Sequence, residues 1–314
     1  MSTILLAIAG WEPEAWLTRF RALGRGREVR LFPNVGDPKA IDYACVWKPA
    51  AGLLATLPRL RAIFSLGAGV DHLIADPTLP AVPVVRIVDP DLTRRMSEYV
   101  ALHVLLHHRR MKLYEAQQRE RLWRDQLDRP ANEVRVGILG MGVLGRAAAA
   151  ALVGLGYPVA GWSRSRKSIP GIETFSGEDE LGRFLARTDI LVALLPLTPA
   201  TRGFLTYDLL RLLARDGVLG GPVLINAGRG GLQVEADLLR ALDDGTLIGA
   251  SLDVFETEPL PPASPFWTHP KVYVTPHNAA QSDPQALVAF VLAQIERDEQ
   301  GLPLEHVIDR KLGY

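Results

Sequence analysis

The sequence predicts an α/β fold with two doubly wound parallel-sheet domains, and three observations favour it. Short apolar runs alternate with helical patterns in both halves of the chain, as is typical of parallel sheets. A glycine-rich turn connects one apolar run to an alanine-rich helical pattern near the middle. A long helical pattern, from about residue 95 to residue 126, separates the two alternating regions.

The first region contains short apolar runs that are bounded by turn residues. The predicted strands cover residues 4–9, 29–32, 44–47, 62–66 and 84–88. Residues 11–23 and 52–57 are predicted to form helical or turn segments between them. Asp89 and Pro90 end this alternation, since Asp-Pro pairs favour turns.

The second region repeats the alternation with longer helical patterns. Strands are predicted over residues 134–139, 159–162, 190–195, 223–226, 248–253 and 272–275. Helices are predicted over residues 143–156, 178–187, 206–214 and 235–243, and a last helix over residues 285–300. Six strands with helices between them fit the doubly wound fold that binds dinucleotides.

Composition narrows the function classes. The chain has 314 residues with 35 basic and 35 acidic side chains, a balance that favours neither nucleic acid nor an anionic membrane as partner. No apolar run reaches the roughly 18 residues of a membrane span, and residues 4–9 lack the preceding basic segment of a signal peptide. Cys45 is the only cysteine, so we expect a reducing, cytoplasmic location.

The glycine turn after the strand at residues 134–139 predicts a dinucleotide site. Gly140, Gly142 and Gly145 have the spacing G-x-G-x-x-G. The first glycine permits a tight turn, the second lets the backbone approach a pyrophosphate, and the third lets the helix pack closely on the strand. Val143 and Leu144 open the helix, whose N–H groups and dipole attract phosphate.

The end of the following strand predicts a preference for NADPH. Ser163, Arg164, Ser165, Arg166 and Lys167 occupy the place where an acid would bind the ribose of NAD. Two guanidinium–phosphate bonds, at about 1.5–3 kcal/mol each, would favour NADPH by roughly two to four decades. The alternative is a solvated basic turn without a ligand.

Three segments at predicted strand ends carry the residues for hydride transfer to a 2-keto acid. They are residues 226–230, 253–259 and 275–277. Arg229 would hold the substrate carboxylate and polarise the keto oxygen, and His277 would donate a proton to that oxygen. Glu258 would pair with His277 and orient its ring, and no metal is expected. Taken singly, the three residues could also be a surface ion pair, a turn acid and a strand cap.

These segments, together with residues 140–145 and 195–199, resemble the D-isomer-specific 2-hydroxyacid dehydrogenase family. Residues 47–49, 162–167, 261–265 and 313–314 are similar to the subgroup that reduces glyoxylate and hydroxypyruvate. The resemblance implies a Rossmann-type cofactor domain, residues 96–279, inserted into a flavodoxin-like substrate domain, residues 1–95 plus 280–314. It also implies NADPH-dependent reduction of glyoxylate to glycolate and of hydroxypyruvate to D-glycerate, in a homodimer built through the cofactor domain.

The resemblance extends to individual site residues. It places catalysis on Arg229, Glu258 and His277, which match the family pattern without departure. The implied cofactor-binding residues are Gly140, Gly142, Val143, Leu144, Gly145, Ser163, Arg164, Ser165, Arg166, Leu195, Pro196, Thr201, Ala227, Gly228, Arg229, Asp253, His277 and Ala279.

A second glycine-rich segment is the candidate for the substrate carboxylate. The implied substrate-binding residues are Trp47, Leu66, Gly67, Ala68, Gly69 and Val70, together with Arg229 and His277. The glycines would expose N–H groups to an anion, and the bulk of Trp47 would favour small substrates. A plain turn and a packed tryptophan are the alternatives.

Two other functions remain open from the residues. One is a dehydrogenase for larger 2-keto acids such as phenylpyruvate, and the other is a non-catalytic regulator that senses a dinucleotide. A regulator has no need of a proton donor such as His277. His103, His107 and His108 raise the question of a metal site, but no acid of suitable spacing joins them, so packing or a subunit contact is the favoured interpretation.

Overall fold

The computed structural model describes residues 2–314, which divide into two compact units. The first unit comprises residues 2–92 together with Ser282–Tyr314, and the second unit comprises Thr93–Gln281. Among the described residues, no helix is long and apolar enough to cross a membrane.

The secondary structure alternates along both units. The strands are β1 (Thr3–Ile8), β2 (Glu28–Leu31), β3 (Tyr43–Trp47), β4 (Ala62–Ser65), β5 (Val84–Val85), β6 (Val136–Leu139), β7 (Val159–Ser163), β8 (Glu173–Ser176), β9 (Ile190–Ala193), β10 (Val223–Asn226), β11 (Gly249–Leu252) and β12 (Val272–Val274). The helices are α1 (Pro13–Leu23), α2 (Asp71–Ile74), α3 (Pro90–His108), α4 (Met111–Glu120), α5 (Val143–Gly154), α6 (Gly177–Ala186), α7 (Tyr207–Leu210), α8 (Glu235–Asp243) and α9 (Pro284–Glu299).

The first unit is built on a five-stranded parallel sheet in the order β2-β1-β3-β4-β5. This is the order of flavodoxin-like sheets. Strand β3 is buried throughout because it lies near the middle of the sheet. Helix α1 buries Trp16, Leu17 and Phe20 and packs against α9, so the end of the chain completes this unit.

The second unit is built on a seven-stranded parallel sheet in the order β12-β11-β10-β9-β6-β7-β8. Apolar side chains cover both faces: Leu191 and Ala193 belong to one core cluster, whereas Ile190 and Val192 belong to another. Successive side chains of a strand point to opposite faces, so the continuous apolar runs reflect burial on both sides. The order in which successive strands are added reverses between β6 and β9, and doubly wound sheets bind their ligands at such a point. This confirms the predicted fold class.

Several elements differ from the sequence predictions, as the following examples show. The helical pattern over residues 95–126 forms two helices, because Arg110 adopts left-handed backbone angles at φ 54° and separates α3 from α4. Strand β8 was not predicted, since only Phe175 among its residues is buried. The helix predicted over residues 206–214 is limited to the four residues of α7.

Candidate active site

The glycine turn joins β6 to α5 in the second unit. Gly140 has φ 104°, and a Cβ atom there would lie 2.8 Å from the backbone oxygen of Leu194. A Cβ atom on Gly145 would lie 1.9 Å from the backbone oxygen of Gly140. Both positions therefore require glycine, because a side chain would collide with backbone that cannot move away.

Gly142 differs from its two neighbours in the motif, since a Cβ atom there would meet nothing within 4 Å. It is the N-cap of α5, and no side chain caps the helix at this end. The first turn, with Val143 and Leu144, thus presents N–H groups and a positive dipole end beside open space. These features fit the pyrophosphate of a dinucleotide.

The basic turn, residues 163–167, follows β7. The Ser163 hydroxyl donates a hydrogen bond to the backbone oxygen of Ser165 at 2.8 Å, and Arg164, Ser165 and Arg166 are exposed. Arg166 donates to the Glu180 carboxylate at 2.6 Å. Glu180 was not among the predicted site residues, and its place in the first turn of α6 gives no sequence signal that it would contact the basic turn.

The Arg166–Glu180 pair bears on cofactor choice. Hydrogen bonding to Arg166 lowers the pKa of Glu180, so this carboxyl stays ionised at neutral pH. The pair lies at the surface, where ion pairs contribute little net free energy. Arg166 can therefore exchange its carboxylate partner for an incoming phosphate at small cost.

The hydrogen bonds of one threonine side chain hold the segment after β9 in its conformation. The Thr201 hydroxyl donates to the backbone oxygen of Pro196 at 2.6 Å and accepts from the N–H of Thr198 at 2.8 Å. Leu195 is buried, and its backbone oxygen would lie 3.0 Å from a Cβ atom on Gly228. This packing brings the predicted cofactor residues after β9 and β10 against one another.

Arg229 follows β10 and is partly buried. The buried Asn226 amide donates to the backbone oxygen of Arg229 at 3.1 Å and to the Gln233 side chain at 2.9 Å. Gln233 in turn donates to the backbone oxygen of Val254 at 3.2 Å. This network fixes the backbone of Arg229 relative to the segment after β11, and Gln233 was missed because a single glutamine beside glycines has no diagnostic spacing.

His277 and Glu258 form a direct pair. The Nδ1 atom of His277 lies 2.8 Å from Oε2 of Glu258, with side-chain exposures of 34% and 23%. The other carboxylate oxygen of Glu258 accepts the N–H of Phe255 at 3.2 Å, so the acid is itself held. Nδ1 is thereby engaged, and Nε2 is the ring nitrogen left for other chemistry.

The histidine turn, residues 275–279, carries His277 in an unusual backbone conformation with φ 51°. Asp253, 1% exposed, accepts the N–H groups of Asn278 and Ala279 at 2.9 and 3.0 Å. The Thr275 hydroxyl donates to the same carboxylate at 2.7 Å. Asp253, predicted as a cofactor residue, thus also anchors this turn.

Helix α3 presents polar rings to the end of the sheet. The Tyr99 hydroxyl lies 2.9 Å from the Thr275 hydroxyl, and His103 and His107 both contact the Ser251 hydroxyl, at 2.7 and 2.9 Å. Burial lowers the pKa of His103 to about 4 and that of His107 to about 3. His108 contacts the Tyr157 hydroxyl instead, so these rings pack within the chain.

No group of three or more His, Cys, Asp or Glu side chains suited to a metal ion occurs within residues 2–314.

Tyr99 was not among the residues predicted from the sequence. Its signal is the spacing of Tyr99, His103 and His107 at every fourth position, which places all three on one face of a helix.

The second glycine-rich segment follows β4 in the first unit. The Ser65 hydroxyl donates to the backbone oxygens of Gly67 and Gly69 at 3.1 and 3.0 Å. Leu66 and Val70 are buried, with Ala68 and Gly69 partly exposed. The segment therefore offers backbone groups and the small residues to a ligand, and the side chains of Leu66 and Val70 hold it in place.

Trp47 lies beside this segment and is 7% exposed. Its ring stacks on Trp11 with centroids 4.5 Å apart, and a Cβ atom on Gly67 would lie 2.4 Å from the ring. The close approach requires glycine at Gly67. Trp47 is thus fixed by packing at the end of β3.

Residues 101–279 match the family model described as the NAD-binding domain of D-isomer specific 2-hydroxyacid dehydrogenases. A glyoxylate/hydroxypyruvate reductase A of Serratia proteamaculans is 41% identical over 96% of this chain and 96% of its own length. The corresponding protein of Photorhabdus laumondii is 43% identical over 92% of this chain and 95% of its own length.

Solved structures agree with the sequence relatives. An NADPH-dependent glyoxylate/hydroxypyruvate reductase from Sinorhizobium meliloti, in complex with NADP and sulfate, is 51% identical, with a TM-score of 0.96 and coverage of 100% of both chains. A probable 2-hydroxyacid dehydrogenase from Rhizobium etli, in complex with NADP, HEPES and tartaric acid, is 47% identical, with a TM-score of 0.94 and the same coverage. With the glycine turn, the His277–Glu258 pair and these matches in agreement, the chain belongs to the D-isomer-specific 2-hydroxyacid dehydrogenase family.

Proposed function

We propose that the chain is an NADPH-dependent reductase of small 2-keto acids, which converts glyoxylate to glycolate and hydroxypyruvate to D-glycerate. The observation that carries the proposal is the hydrogen-bonded His277–Glu258 pair in the unit whose glycine turn fits a dinucleotide. The names of the sequence relatives and of the Sinorhizobium meliloti structure support the same substrates and cofactor.

The second unit would bind NADPH, which supplies the hydride. The glycine turn and the first turn of α5 would hold the pyrophosphate, and Arg164 and Arg166 of the basic turn would hold the 2′-phosphate. The remaining cofactor contacts are assigned to the segments after β9, β10, β11 and β12: Leu195, Pro196, Thr201, Ala227, Gly228, Arg229, Asp253, His277 and Ala279.

His277 would act as the proton donor through Nε2. In the forward direction the protonated ring gives its proton to the keto oxygen as carbon C2 is reduced. The carboxylate of Glu258, 2.8 Å from Nδ1, stabilises the protonated ring and fixes its orientation. In the reverse direction the neutral ring takes the proton of the alcohol.

Arg229 would bind the substrate carboxylate and polarise the keto oxygen. Its planar guanidinium suits a carboxylate, and its permanent charge stabilises the negative charge that develops on the oxygen. The backbone held by Asn226 and Gln233 supports this side chain. Removal of Arg229 is expected to raise KM and lower kcat together.

The first unit would serve as the substrate domain. Backbone N–H groups of Gly67, Ala68 and Gly69 would contact the substrate carboxylate, and Trp47 would limit substrate size. The fixed packing of Trp47 against Trp11 and Gly67 supports such a limit, because a ring held on two sides cannot move aside for a larger substrate.

We also propose that two copies of the chain associate through the second unit. Several large apolar side chains of α3, α4 and the segment that follows are exposed, and among them Trp123 is fully exposed and Leu127 is 80% exposed. Leu102, Leu105, Met111, Leu113 and Leu122 are also exposed. A concentration of large exposed apolar side chains in one stretch of the chain is unusual for a monomer, and it supports an interface there. A cytoplasmic location is proposed as well, because the single cysteine is buried and unbridged.

Light scattering after gel filtration tests the association. The protein is expected to have twice the mass of one chain, and the double variant Trp123→Ser with Leu127→Ser is expected to have the mass of one. Trp267→Ser is the matched control, because Trp267 is 50% exposed elsewhere in the same unit. A wild-type protein of single-chain mass would refute the proposed pair.

Steady-state kinetics over glyoxylate, hydroxypyruvate, pyruvate and phenylpyruvate, each with NADPH and NADH, tests the function. We expect the highest kcat/KM for glyoxylate or hydroxypyruvate with NADPH. Preference for phenylpyruvate would indicate the dehydrogenase of larger substrates. NADPH binding with no turnover of any substrate would indicate the sensing regulator.

A further inference from the structure

A chain of buried polar groups runs from α3 to the histidine turn. Tyr99 is 9% exposed, and its hydroxyl lies 2.9 Å from that of Thr275. The Thr275 hydroxyl donates to the Asp253 carboxylate at 2.7 Å. Three residues that are distant in sequence thus form one continuous hydrogen-bonded relay within the second unit.

The direction of the relay follows from its chemistry. The Asp253 carboxylate can only accept hydrogen bonds, so the Thr275 proton points toward it. The Thr275 oxygen then accepts the proton of Tyr99. Burial raises the pKa of Tyr99 above its ordinary value, so the phenol keeps this proton, and hydrogen bonds aligned in one direction strengthen each other.

The relay ends at the backbone that carries His277. Asp253 accepts the N–H groups of Asn278 and Ala279, and the backbone oxygen of Asp253 accepts the N–H of His277 at 2.8 Å. A non-glycine residue at φ 51° is strained, and such a conformation persists only when surrounding contacts hold it. The hydrogen bonds of Asp253 supply those contacts.

We propose that Tyr99 is a positioning residue that, through Thr275 and Asp253, keeps the histidine turn in the conformation that directs the His277 ring. This inference rests on the proposed role of His277 as proton donor. The Tyr99 hydroxyl is hydrogen-bonded to Thr275, so its effect passes through the backbone of the turn. A loss of the Tyr99 hydroxyl should therefore affect the proton-transfer step more than cofactor binding.

The variant Tyr99→Phe removes only the hydroxyl. The aromatic ring still packs on His103, with ring centroids 4.1 Å apart in the wild-type protein. Thr275 can still donate to Asp253, so no donor is left unsatisfied. We expect kcat for glyoxylate to fall about threefold to tenfold, the rate equivalent of one neutral hydrogen bond, with KM for NADPH within about twofold of wild type.

Tyr157→Phe is the matched control. Tyr157 is buried in the same unit, and its hydroxyl contacts His108 at 2.6 Å rather than the relay. It should leave kcat unchanged although it loses a comparable bond. Thr275→Val should lower kcat more than Tyr99→Phe, because Asp253 then loses a direct donor, and Thr275→Ser should recover most of the rate.

An NMR measurement tests the relay without relying on turnover. The ring signals of His277, assigned by their loss in His277→Gln, should shift and broaden in Tyr99→Phe and stay in place in Tyr157→Phe. Unchanged His277 signals in Tyr99→Phe would overturn the inference, as would a wild-type kcat in that variant. A wild-type protein that turns over no 2-keto acid would defeat the proposed function, and the NMR result would still decide the relay.

Discussion

The histidine turn and the basic turn both follow parallel strands of the same sheet, but the protein holds them differently. The histidine turn is tied to Asp253, a carboxylate that is 1% exposed, through two backbone N–H groups and one hydroxyl. The basic turn keeps its charged side chains in solvent. Its Arg166 makes a surface pair with Glu180.

The difference corresponds to the two proposed tasks. A proton donor must be directed at one oxygen atom, so small errors of position reduce the rate. A phosphate is large and carries its charge on several oxygens, so mobile guanidinium groups can follow it. Buried hydrogen bonds therefore stabilise the site of chemistry, whereas exposed charge suffices for cofactor choice.

The largest effect is expected from His277→Ala. Loss of a general acid should lower kcat for glyoxylate reduction by about 10²- to 10⁴-fold. The Kd for NADPH, measured by fluorescence titration, should change much less, because His277 is only one of many proposed cofactor contacts. His306→Ala is the control, since His306 is an exposed histidine of the first unit. A fall of less than threefold in His277→Ala would remove the proton-donor role.

The basic turn should respond in binding rather than in rate. The double variant Arg164→Ala with Arg166→Ala should lower the ratio of kcat/KM for NADPH to that for NADH by up to about 100-fold. This is less than two fully desolvated ion pairs would give, because solvent weakens exposed pairs. Arg119→Ala, which removes a 77% exposed guanidinium from α4, serves as the control. An unchanged ratio would mean that other residues select the cofactor.

Acid should weaken the packing of α3 on β11, where His107 contacts Ser251. Burial lowers the pKa of His107 from its ordinary value of 6.5 to about 3. Between these two pH values His107 binds a proton in the unfolded state but not in the folded state. The contribution of His107 to stability is therefore fully present above about pH 6.5 and is lost as the pH falls, by roughly 2 kcal/mol at pH 5.

Urea unfolding at pH 7 and pH 5 measures this effect. His107→Gln retains a side-chain hydrogen-bonding group that cannot titrate, and it should reduce the loss of unfolding free energy between the two pH values. His306→Gln should leave that loss unchanged. An equal loss in His107→Gln and wild type would contradict the assignment of this pH effect to His107. The neighbouring His103 and Lys112, which also lower the pKa of His107, would then be substituted in the same experiment.

The smallest effect is expected from Glu258→Gln, which keeps a side chain of similar size beside His277. The amide oxygen of glutamine can still accept a hydrogen bond from Nδ1, which lies 2.8 Å from Oε2 of Glu258, but the negative charge is lost. Because a hydrogen bond to a charged group is worth about 1 kcal/mol more than a neutral one, kcat for glyoxylate should fall by up to about tenfold. Glu256→Gln, which alters an exposed acid in the same segment, should leave kcat unchanged. A wild-type kcat in Glu258→Gln would exclude the pairing as a functional one.

The parts of this molecule that depend on local chemistry were predictable. The glycine turn was predictable because the close approach of backbone permits only glycine at Gly140 and Gly145. The central residues of most strands were predictable because burial on both faces of a sheet gives continuous apolar runs. The order of the segments at residues 226–230, 253–259 and 275–277 also predicted the contact between Glu258 and His277 that the structure shows.

Features that depend on tertiary contacts were not predictable. Tyr99 and Thr275 are hydrogen-bonded but lie 176 positions apart in the sequence. No local sequence rule relates the two positions. The Arg166–Glu180 pair also arises only when separate elements come together. The left-handed backbone of Arg110, which divides the long helix, is uncommon for a residue other than glycine, so the sequence gives no signal of it. Edge strand β8 escaped prediction because its side chains are mostly not buried.

A crystal structure of the chain with NADP and the unreactive substrate analogue oxamate would show whether His277 and Arg229 meet the substrate as proposed. We expect Nε2 of His277 to lie about 2.6–3.2 Å from the analogue oxygen that replaces the keto oxygen, with the Arg229 guanidinium on the analogue's carboxylate. Both side chains turned away from the bound analogue would contradict it.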